Sequence, residues 1–300
     1  MEKIIKDANY TYSKMREAIR SLKKEYPFIE VFYIGQSCLG REIPAIKIGK
    51  SNDICLYAGA FHGSESLTTT LLLKFCEDLC HSIEFDRDLC GIKTSKVYKN
   101  KSLVIIPRVN PDGCEISLLG ALTAGVYAGE IRRISGGDTL HWNANLRGVD
   151  INHNFSAGWQ ELRREERKAG IFGPAKTRYG GLYPESEPET AALTSYCLNN
   201  NISHALAFHS QGEVIYWHFG DKIPYRSEKM VEIMAELSGY MPDEAEGLAF
   251  GGGFKDWFIE TFARPAFTVE IGKGENPLPC EDLSVIYEKV KKMMVVTPIL

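Results

Sequence analysis

The sequence has no strong excess of either charge and no long apolar run. Its 35 lysines and arginines nearly balance its 39 aspartates and glutamates, which gives a formal net charge of -4. This balance offers no electrostatic surface for nucleic acid or for an anionic membrane, so we predict neither as a partner. The longest charge-free apolar stretch, 116–129, is interrupted by glycines and is too short to span a bilayer.

The eight cysteines are scattered rather than spaced as a disulfide framework. A chain of 300 residues buries enough apolar surface to fold without covalent cross-links, so this scatter favours a reducing compartment. The N-terminal residues contain no apolar core typical of a signal peptide, and we therefore expect a cytoplasmic protein. Because no repeat or linker of distinct composition interrupts the chain, we predict one domain over 1–300.

Strand-like and helical patterns alternate along the chain. Apolar runs indicate strands at 28–34, 42–48, 53–60, 103–109, 202–210 and 263–271. Apolar spacing and end signals indicate helices at 12–24, 66–80, 159–169, from about 187, at 227–239 and at 282–294. The segment 113–140 shows neither pattern, and we predict an irregular insertion there. The alternation predicts an α/β fold, with a mixed, mostly parallel twisted sheet and helices on both faces.

Four side chains suited to metal chemistry follow three of these predicted strands. His62 and Glu65 come directly after one strand, whereas His209 and Glu270 stand at the ends of two others. Parallel strands gather ligand sites outside their carboxyl ends, so we expect these groups at one edge of the sheet. Two imidazoles and a carboxylate are a sufficient ligand set for a catalytic zinc ion with one open position.

The His-x-x-Glu spacing of the first pair is weak evidence when taken alone. It recurs at His81 and Glu84, where the charged surroundings indicate an ordinary helix end. By itself, His62 is equally well explained as a hydrogen-bonded loop histidine. The motifs around it decide between these interpretations.

The segment NLRGVDINHNFSAGW (145–159) resembles the GVDxNRNF motif of the zinc carboxypeptidase family. Further segments resemble motifs of that family in the same order, and they are HGSE (62–65), SEPET (186–190), HSQG (209–212), GGFKDW (252–257) and FTVE (267–270). Within the family, the segments at 209–217 and within 252–279 most resemble bacterial γ-D-glutamyl-L-diamino acid peptidases. Those enzymes cut peptidoglycan stem peptides between D-glutamate and the diamino acid.

The resemblance implies a zinc carboxypeptidase-like fold and one zinc ion held by His62, Glu65 and His209. It implies that Asp150 accepts a hydrogen bond from His62, because such carboxylates orient ligating histidines. It also implies that Glu270 is the general base, which takes a proton from the water held at zinc and passes it to the leaving amine.

The group that stabilises the oxyanion is less well defined by the motifs. Arg147 is our candidate, since an arginine beside the metal suits the developing negative charge. Asn145 is the alternative, because the loop before the GVD motif varies in length. The loop tyrosine usual in the family has no clear match, and Leu248 and Phe250 stand in that region.

Two departures from the family pattern concern substrate binding. Family exopeptidases have Asn-Arg where this chain has Asn152 and His153, and that arginine clamps the free α-carboxylate of the last residue. Histidine is a weaker and pH-dependent anion partner, so simple trimming of ordinary peptides is not expected, although Asn152 still donates hydrogen bonds. In relatives, the residue at the place of Lys255 lies at the bottom of the side-chain pocket, so the resemblance implies the same position for this lysine. A buried cation requires a negative partner, so we hypothesise that Lys255 favours diaminopimelate, whose side chain ends in a carboxylate, over lysine.

These features predict a zinc metallopeptidase whose partner is a small muropeptide, cut at the γ-D-glutamyl–diaminopimelyl bond. A general metallocarboxypeptidase, or a zinc amidohydrolase or deacylase of N-acyl amino acids, remains an alternative with the same ligand set. A muropeptide-binding protein without activity is a third, and it is disfavoured because a binding protein has no need of Glu270.

Overall fold

The computed structural model describes residues 3–300, which fold around an eight-stranded sheet. In chain order the strands are β1 Glu30–Gln36, β2 Glu42–Ile48, β3 Ile54–Gly59, β4 Ser102–Ile106, β5 Ile202–His209, β6 Val214–Tyr216, β7 Met241–Asp243 and β8 Ala266–Glu270. They are arranged across the sheet as β1-β2-β4-β3-β5-β8-β6-β7. The central strands β4, β3, β5 and β8 run parallel, whereas β1, β2 and β6 make antiparallel pairs. The predicted mixed, mostly parallel sheet is confirmed.

The helices connect these strands and cover the sheet. They are α1 Tyr12–Glu25, α2 Leu67–Glu84, α3 Thr94–Val97, α4 Pro111–Leu119, α5 Ala128–Ser135, α6 Trp159–Lys168, α7 Pro188–Leu198, α8 Ser227–Ser238, α9 Phe254–Phe262 and α10 Leu283–Val296. Within residues 3–300, no helix combines the length and the apolar character needed to cross a bilayer.

Alternate residues of the central strands face two separate cores. On one face large side chains such as Tyr57 and Phe208 pack under α1, α2, α8 and α10. On the other face small residues such as Ala58 and Ala207 allow α7 and α9 to approach closely. Strands covered on both faces are apolar throughout, which explains their continuous apolar runs in the sequence. Helices lie on both faces, as predicted.

The prediction of an irregular insertion at 113–140 is wrong. This segment forms most of α4, a run of 3-10 turns over Ala121–Tyr127, and α5. It closes a small third core in which Ile116 and Ile131 pack with Trp142. Most of α4 is buried, so it lacks the one-sided apolar spacing that identifies a surface helix.

The sheet places the ends of β3, β5 and β8 side by side. His209 and Glu270 are direct register partners at the ends of β5 and β8, and Gly59 pairs with Phe208 at the end of β3. The chain beyond β3 then enters a 3-10 turn at Gly63–Glu65. The carboxyl ends of three parallel strands therefore form one edge. That 1–300 is one domain stays a prediction.

Candidate metal centre and substrate cavity

Three potential metal ligands converge at this edge of the sheet. The Nδ1 atom of His62 lies 2.8 Å from Oε1 of Glu65, and Nδ1 of His209 lies 3.1 Å from Oε2 of the same carboxylate. The two Nδ1 atoms are 3.3 Å apart. Ligand atoms of all three residues lie within 4.8 Å of one another. The structure thus brings together the residues predicted to bind zinc.

The hydrogen bonding around these residues fits a bound cation. Nε2 of His62 faces Oδ1 of Asp150 at 3.1 Å, so a proton on Nε2 leaves the lone pair of Nδ1 directed at Glu65. Burial lowers the pKa of His62, but the charges of Glu65 and Asp150 raise it well above its usual value. Surroundings that favour a positive charge, with imidazole nitrogens and a carboxylate as donors, suit Zn²⁺.

Local packing holds the ligands in place. The ring of His209 stacks on Phe61, with 5.0 Å between the ring centroids and 19° between the planes. Glu65 is buried in its 3-10 turn. Burial alone would raise the pKa of Glu65, but the nearby His62 and His209 lower it to about 2. The carboxylate is therefore ionised and available as a ligand.

Asp150 is fixed on its other side by backbone groups. It stands at the N-cap of a 3-10 turn over Ile151–His153, and its carboxylate accepts from the N–H groups of Asn152 (3.2 Å) and Arg178 (2.8 Å). Burial raises its pKa, but the charges of His62 and His153 and the hydrogen bonds from His62 and Arg178 together hold that pKa well below its usual range. Asp150 is therefore an ionised acceptor aimed at a histidine of the metal centre.

Two of the three ligands, His62 and Glu65, line a cavity of about 340 Å³. Glu270 lies on its wall at the end of β8, where burial raises the pKa of the carboxyl well above its usual value and the charge of Glu65 raises it further. Polar groups dominate the lining, which includes His62, Glu65, Asn143, Asp150, Asn152, His153, Thr177, Arg178, Ser210, Gln211, Tyr216, Lys255, Asp256, Thr268, Glu270 and Asn276.

The three residues predicted to bind substrate line this cavity, but all three already have partners within the protein. His153 is buried, and its Nδ1 lies 2.9 Å from Oε1 of Glu166 on α6. Asn152 accepts the N–H of Phe254 through Oδ1 at 3.0 Å, which leaves its amide N–H groups as donors. The amide of Asn152 is thus a neutral hydrogen-bond donor on the cavity wall.

Lys255 is not the uncompensated cation that the sequence indicated. It is 4% exposed, and its Nζ contacts the carboxylate of Asp256 and the carbonyl of His218. Asp256 is 2% exposed and also accepts the N–H of Gly251 at 2.9 Å. Lys255 and Asp256 are neighbours on the first turn of α9, and together they form a buried ion pair at the cavity wall.

The structure does not bring Arg147 to the cavity. Its side chain is 58% exposed and faces Oε2 of Glu187 at 3.6 Å. The alternative, Asn145, is also absent from the cavity wall, because its amide donates to Glu187 (2.8 Å) and Glu189 (3.1 Å). The loop turns back on itself, since Oδ1 of Asn145 accepts the N–H groups of Arg147 and Val149. Neither candidate therefore lines the cavity.

A sequence profile of the zinc carboxypeptidase family matches residues 15–293. The chain belongs to this family. Gamma-D-glutamyl-L-diamino acid endopeptidase 1 of Lysinibacillus sphaericus is 35% identical over 288 residues, which cover 94% of this chain and 70% of that protein. This chain is accordingly a zinc metallopeptidase.

Solved structures share the fold of this metallopeptidase at low sequence identity. Bovine thrombin-activatable fibrinolysis inhibitor superposes with a TM-score of 0.72 at 19% identity, over 98% of this chain and 96% of that one. Murein-tripeptide amidase MpaA from Escherichia coli O157 superposes with a TM-score of 0.54 at 20% identity, over 88% and 91% of the chains. The common fold agrees with the one that the motifs implied.

Three cavity residues of this metallopeptidase were missed in the sequence. Asn143 accepts the Ser64 hydroxyl through Oδ1, which leaves its amide N–H groups as donors at the cavity wall. Arg178 lies in a loop rich in glycine and proline, and Asp256 follows Lys255 directly. None of the three belongs to a motif with a recognisable spacing. The contact of Asn143 with Ser64 and the position of Arg178 at the cavity become visible only once the fold is known.

The contact between Asp150 and His62 gives a first prediction. We expect Asp150→Asn to weaken zinc binding by about 10- to 100-fold, because an amide no longer provides the charge that orients the imidazole. Zinc affinity is measured by competition with a chromogenic chelator. Asp138→Asn is the matched control, since Asp138 faces the exposed His141 at 2.8 Å on the surface. Equal affinities in the two variants would contradict the orienting role.

Proposed function

We propose that this metallopeptidase hydrolyses the amide bond between the γ-carboxyl group of D-glutamate and diaminopimelate in soluble peptides derived from peptidoglycan. The observation that carries the proposal is the 35% identity, over 94% of the chain, to a γ-D-glutamyl-L-diamino acid endopeptidase. The polar cavity supports it, since charged groups of both signs stand beside the metal ligands. Such a lining suits a small, highly charged peptide.

In this proposal His62, Glu65 and His209 hold one zinc ion. When bound, the ion acidifies a water molecule and polarises the carbonyl group of the scissile bond. Glu270 takes the proton from the attacking water and delivers it to the leaving amine. Its register pairing with His209 supports this role, because the two strand ends place the carboxylate next to the ligands. Asp150 keeps the imidazole of His62 oriented.

Asn143 takes the role that the sequence suggested for Arg147. Its amide lies on the cavity wall, and the contact with Ser64 orients it by occupying its oxygen. A donor fixed before the reaction stabilises the negative charge that develops on the carbonyl oxygen. Because the amide is neutral, we expect less stabilisation from it than from an arginine.

The ion pair of Lys255 and Asp256 suits the far end of diaminopimelate. That end carries an ammonium and a carboxylate on one carbon, so its charges complement the pair, with the carboxylate toward Nζ and the ammonium toward the Asp256 oxygens. Nζ has three donors, and the structure assigns partners to two of them. Lysine brings only an ammonium and leaves Nζ without its partner.

Lys255→Met is therefore expected to change specificity. We expect kcat/KM for the diaminopimelate tripeptide to fall by about 10- to 100-fold, since a charge-assisted contact is lost. The lysine tripeptide should lose much less, because Asp256 then has no competing cation. Lys273→Met is the control, as Lys273 is exposed and pairs with Glu213 outside the cavity. An unchanged ratio of the two kcat/KM values in a folded Lys255 variant would reject the assignment.

Digestion of L-Ala-γ-D-Glu-meso-diaminopimelate by the zinc-loaded protein tests the function. We expect free diaminopimelate and L-Ala-D-Glu, identified by mass spectrometry. Faster turnover of N-acyl amino acids would favour the deacylase alternative, and faster trimming of ordinary peptides would favour a general carboxypeptidase. Binding of the tripeptide without cleavage would indicate a non-catalytic protein.

The site of action and the number of ions belong to the same proposal. We place the reaction in the cytoplasm, where fractionation of the source cells should recover the protein. Metal analysis of the purified protein should find one zinc per chain. The expected lack of nucleic-acid binding also stays a prediction.

A further inference from the structure

Two cationic side chains, apart from histidines, line the cavity. Lys255 is neutralised by Asp256. Arg178 is exposed to the cavity, and within residues 3–300 its guanidinium group has no hydrogen-bond or ion-pair partner in the structure. An arginine held at a cavity wall without a carboxylate presents a fork of donors that matches a carboxylate of a ligand.

The backbone of Arg178 is tied to the metal centre. Its N–H donates to Oδ2 of Asp150 at 2.8 Å, while Oδ1 of the same carboxylate faces His62. The next residue, Tyr179, accepts the N–H of Asp150 at 2.7 Å. Arg178 has a φ of 64°, in the left-handed region that is rare for residues other than glycine. The backbone of this loop is thus anchored to the carboxylate that faces His62, and Arg178 lines the cavity.

His153 does not supply the cation that would bind a substrate carboxylate at this wall. It stands where the family's exopeptidases have their carboxylate-binding arginine, but it is buried and bound to Glu166. Burial lowers the pKa of His153, and the charge of Arg178 is among the causes that lower it further. The imidazole is therefore a poor anion partner at neutral pH, whereas Arg178 lines the same cavity as His153.

We infer that Arg178 binds the α-carboxylate of the diamino acid on the amine side of the scissile bond. This inference rests on the proposed function. One carbon separates that carboxylate from the scissile nitrogen, whereas three carbons separate the D-glutamyl carboxylate from the scissile carbonyl. The backbone of Arg178 is held by Asp150 and its guanidinium is unpaired in the described part of the chain, which suits the nearer group. The far end of the side chain is left to Lys255 and Asp256.

The test compares two tripeptides, one with this α-carboxylate free and one with it converted to the carboxamide. For Arg178→Ala we expect kcat/KM to fall by about 10- to 100-fold on the free acid and by less than about threefold on the carboxamide. Arg178→Lys should recover part of the loss. Lys176→Ala is the control, because Lys176 lies in the same loop and pairs with Asp138 outside the cavity.

A binding measurement removes any dependence on catalysis. In the Glu270→Gln background, calorimetry should show that Arg178→Ala weakens binding of the free acid by a similar factor and leaves the carboxamide unchanged. Equal losses on both peptides would assign Arg178 a purely structural role and overturn the inference, while the proposed function stands. If the wild-type protein cleaves neither peptide, the proposed function fails and this inference fails with it.

Discussion

Replacing Glu270 with glutamine is expected to lower kcat on the γ-D-glutamyl–diaminopimelyl tripeptide by about 10²- to 10⁴-fold. Glutamine has nearly the same shape but cannot take a proton from water or return one to the leaving amine. Zinc content should stay at the wild-type level, because the carboxyl group of Glu270 contacts none of the three ligands by hydrogen bond within residues 3–300. The rate is measured from release of diaminopimelate under saturating substrate.

Glu275→Gln is the matched control for this variant. Glu275 follows β8 closely in the chain, but it is exposed and lies outside the cavity wall. Its kcat should equal that of the wild type. If Glu270→Gln retains more than about a tenth of the wild-type kcat with full zinc content, another group must move the proton, and the assignment of Glu270 is wrong.

The convergence of the three metal ligands could be predicted from the sequence, because all three stand at or just beyond the ends of predicted strands. The strands ending at Gly59, His209 and Glu270 are apolar on both faces, so their parallel arrangement could be predicted from the apolar runs alone. Once they are parallel, His62 and Glu65 must lie near His209. The roles of these residues remain predictions, but their proximity follows from the fold.

The cavity wall could not be predicted in the same way. Lys255 and Asp256 are adjacent in sequence, and nothing in the sequence shows that their charged ends meet. Arg147 directly precedes the GVD motif in the sequence, which suggested a role at the oxyanion. In the structure, however, the amide of Asn145 binds both Glu187 and the N–H of Arg147 and so fixes the loop near Glu187. Loop residues are positioned by such individual hydrogen bonds, which leave no periodic pattern in the sequence.

Short or fully buried elements also escaped prediction. β6 and β7 have three residues each, too few for an alternating pattern to emerge. The charged composition of α6 is typical of a solvated helix, but Glu166 is fully buried and contacts both His153 and Arg163. A single buried carboxylate on a charged helix is invisible to composition, and here it contacts Nδ1 of His153.

Replacing Glu65 with glutamine should remove the metal and the activity together. The carboxylate of Glu65 contacts Nδ1 of both His62 and His209, so it contributes the negative charge that a divalent ion needs at this buried place. An amide keeps the shape but not the charge. We expect less than stoichiometric zinc after dialysis and a loss of kcat/KM of more than about 10³-fold, because the ion supplies several kcal/mol of transition-state stabilisation.

The second His-x-x-Glu pair of the chain provides the control for that prediction. Glu84→Gln alters the second copy of the motif at the exposed end of α2. Because Glu84 is not one of the three converging ligands, zinc content and activity should be unchanged. Added zinc should raise the melting temperature of the wild type and of Glu84→Gln by mass action, and should not raise that of Glu65→Gln. A zinc-dependent shift of wild-type size in Glu65→Gln would mean that the ion binds elsewhere, because the two histidines alone lack the charge to retain it.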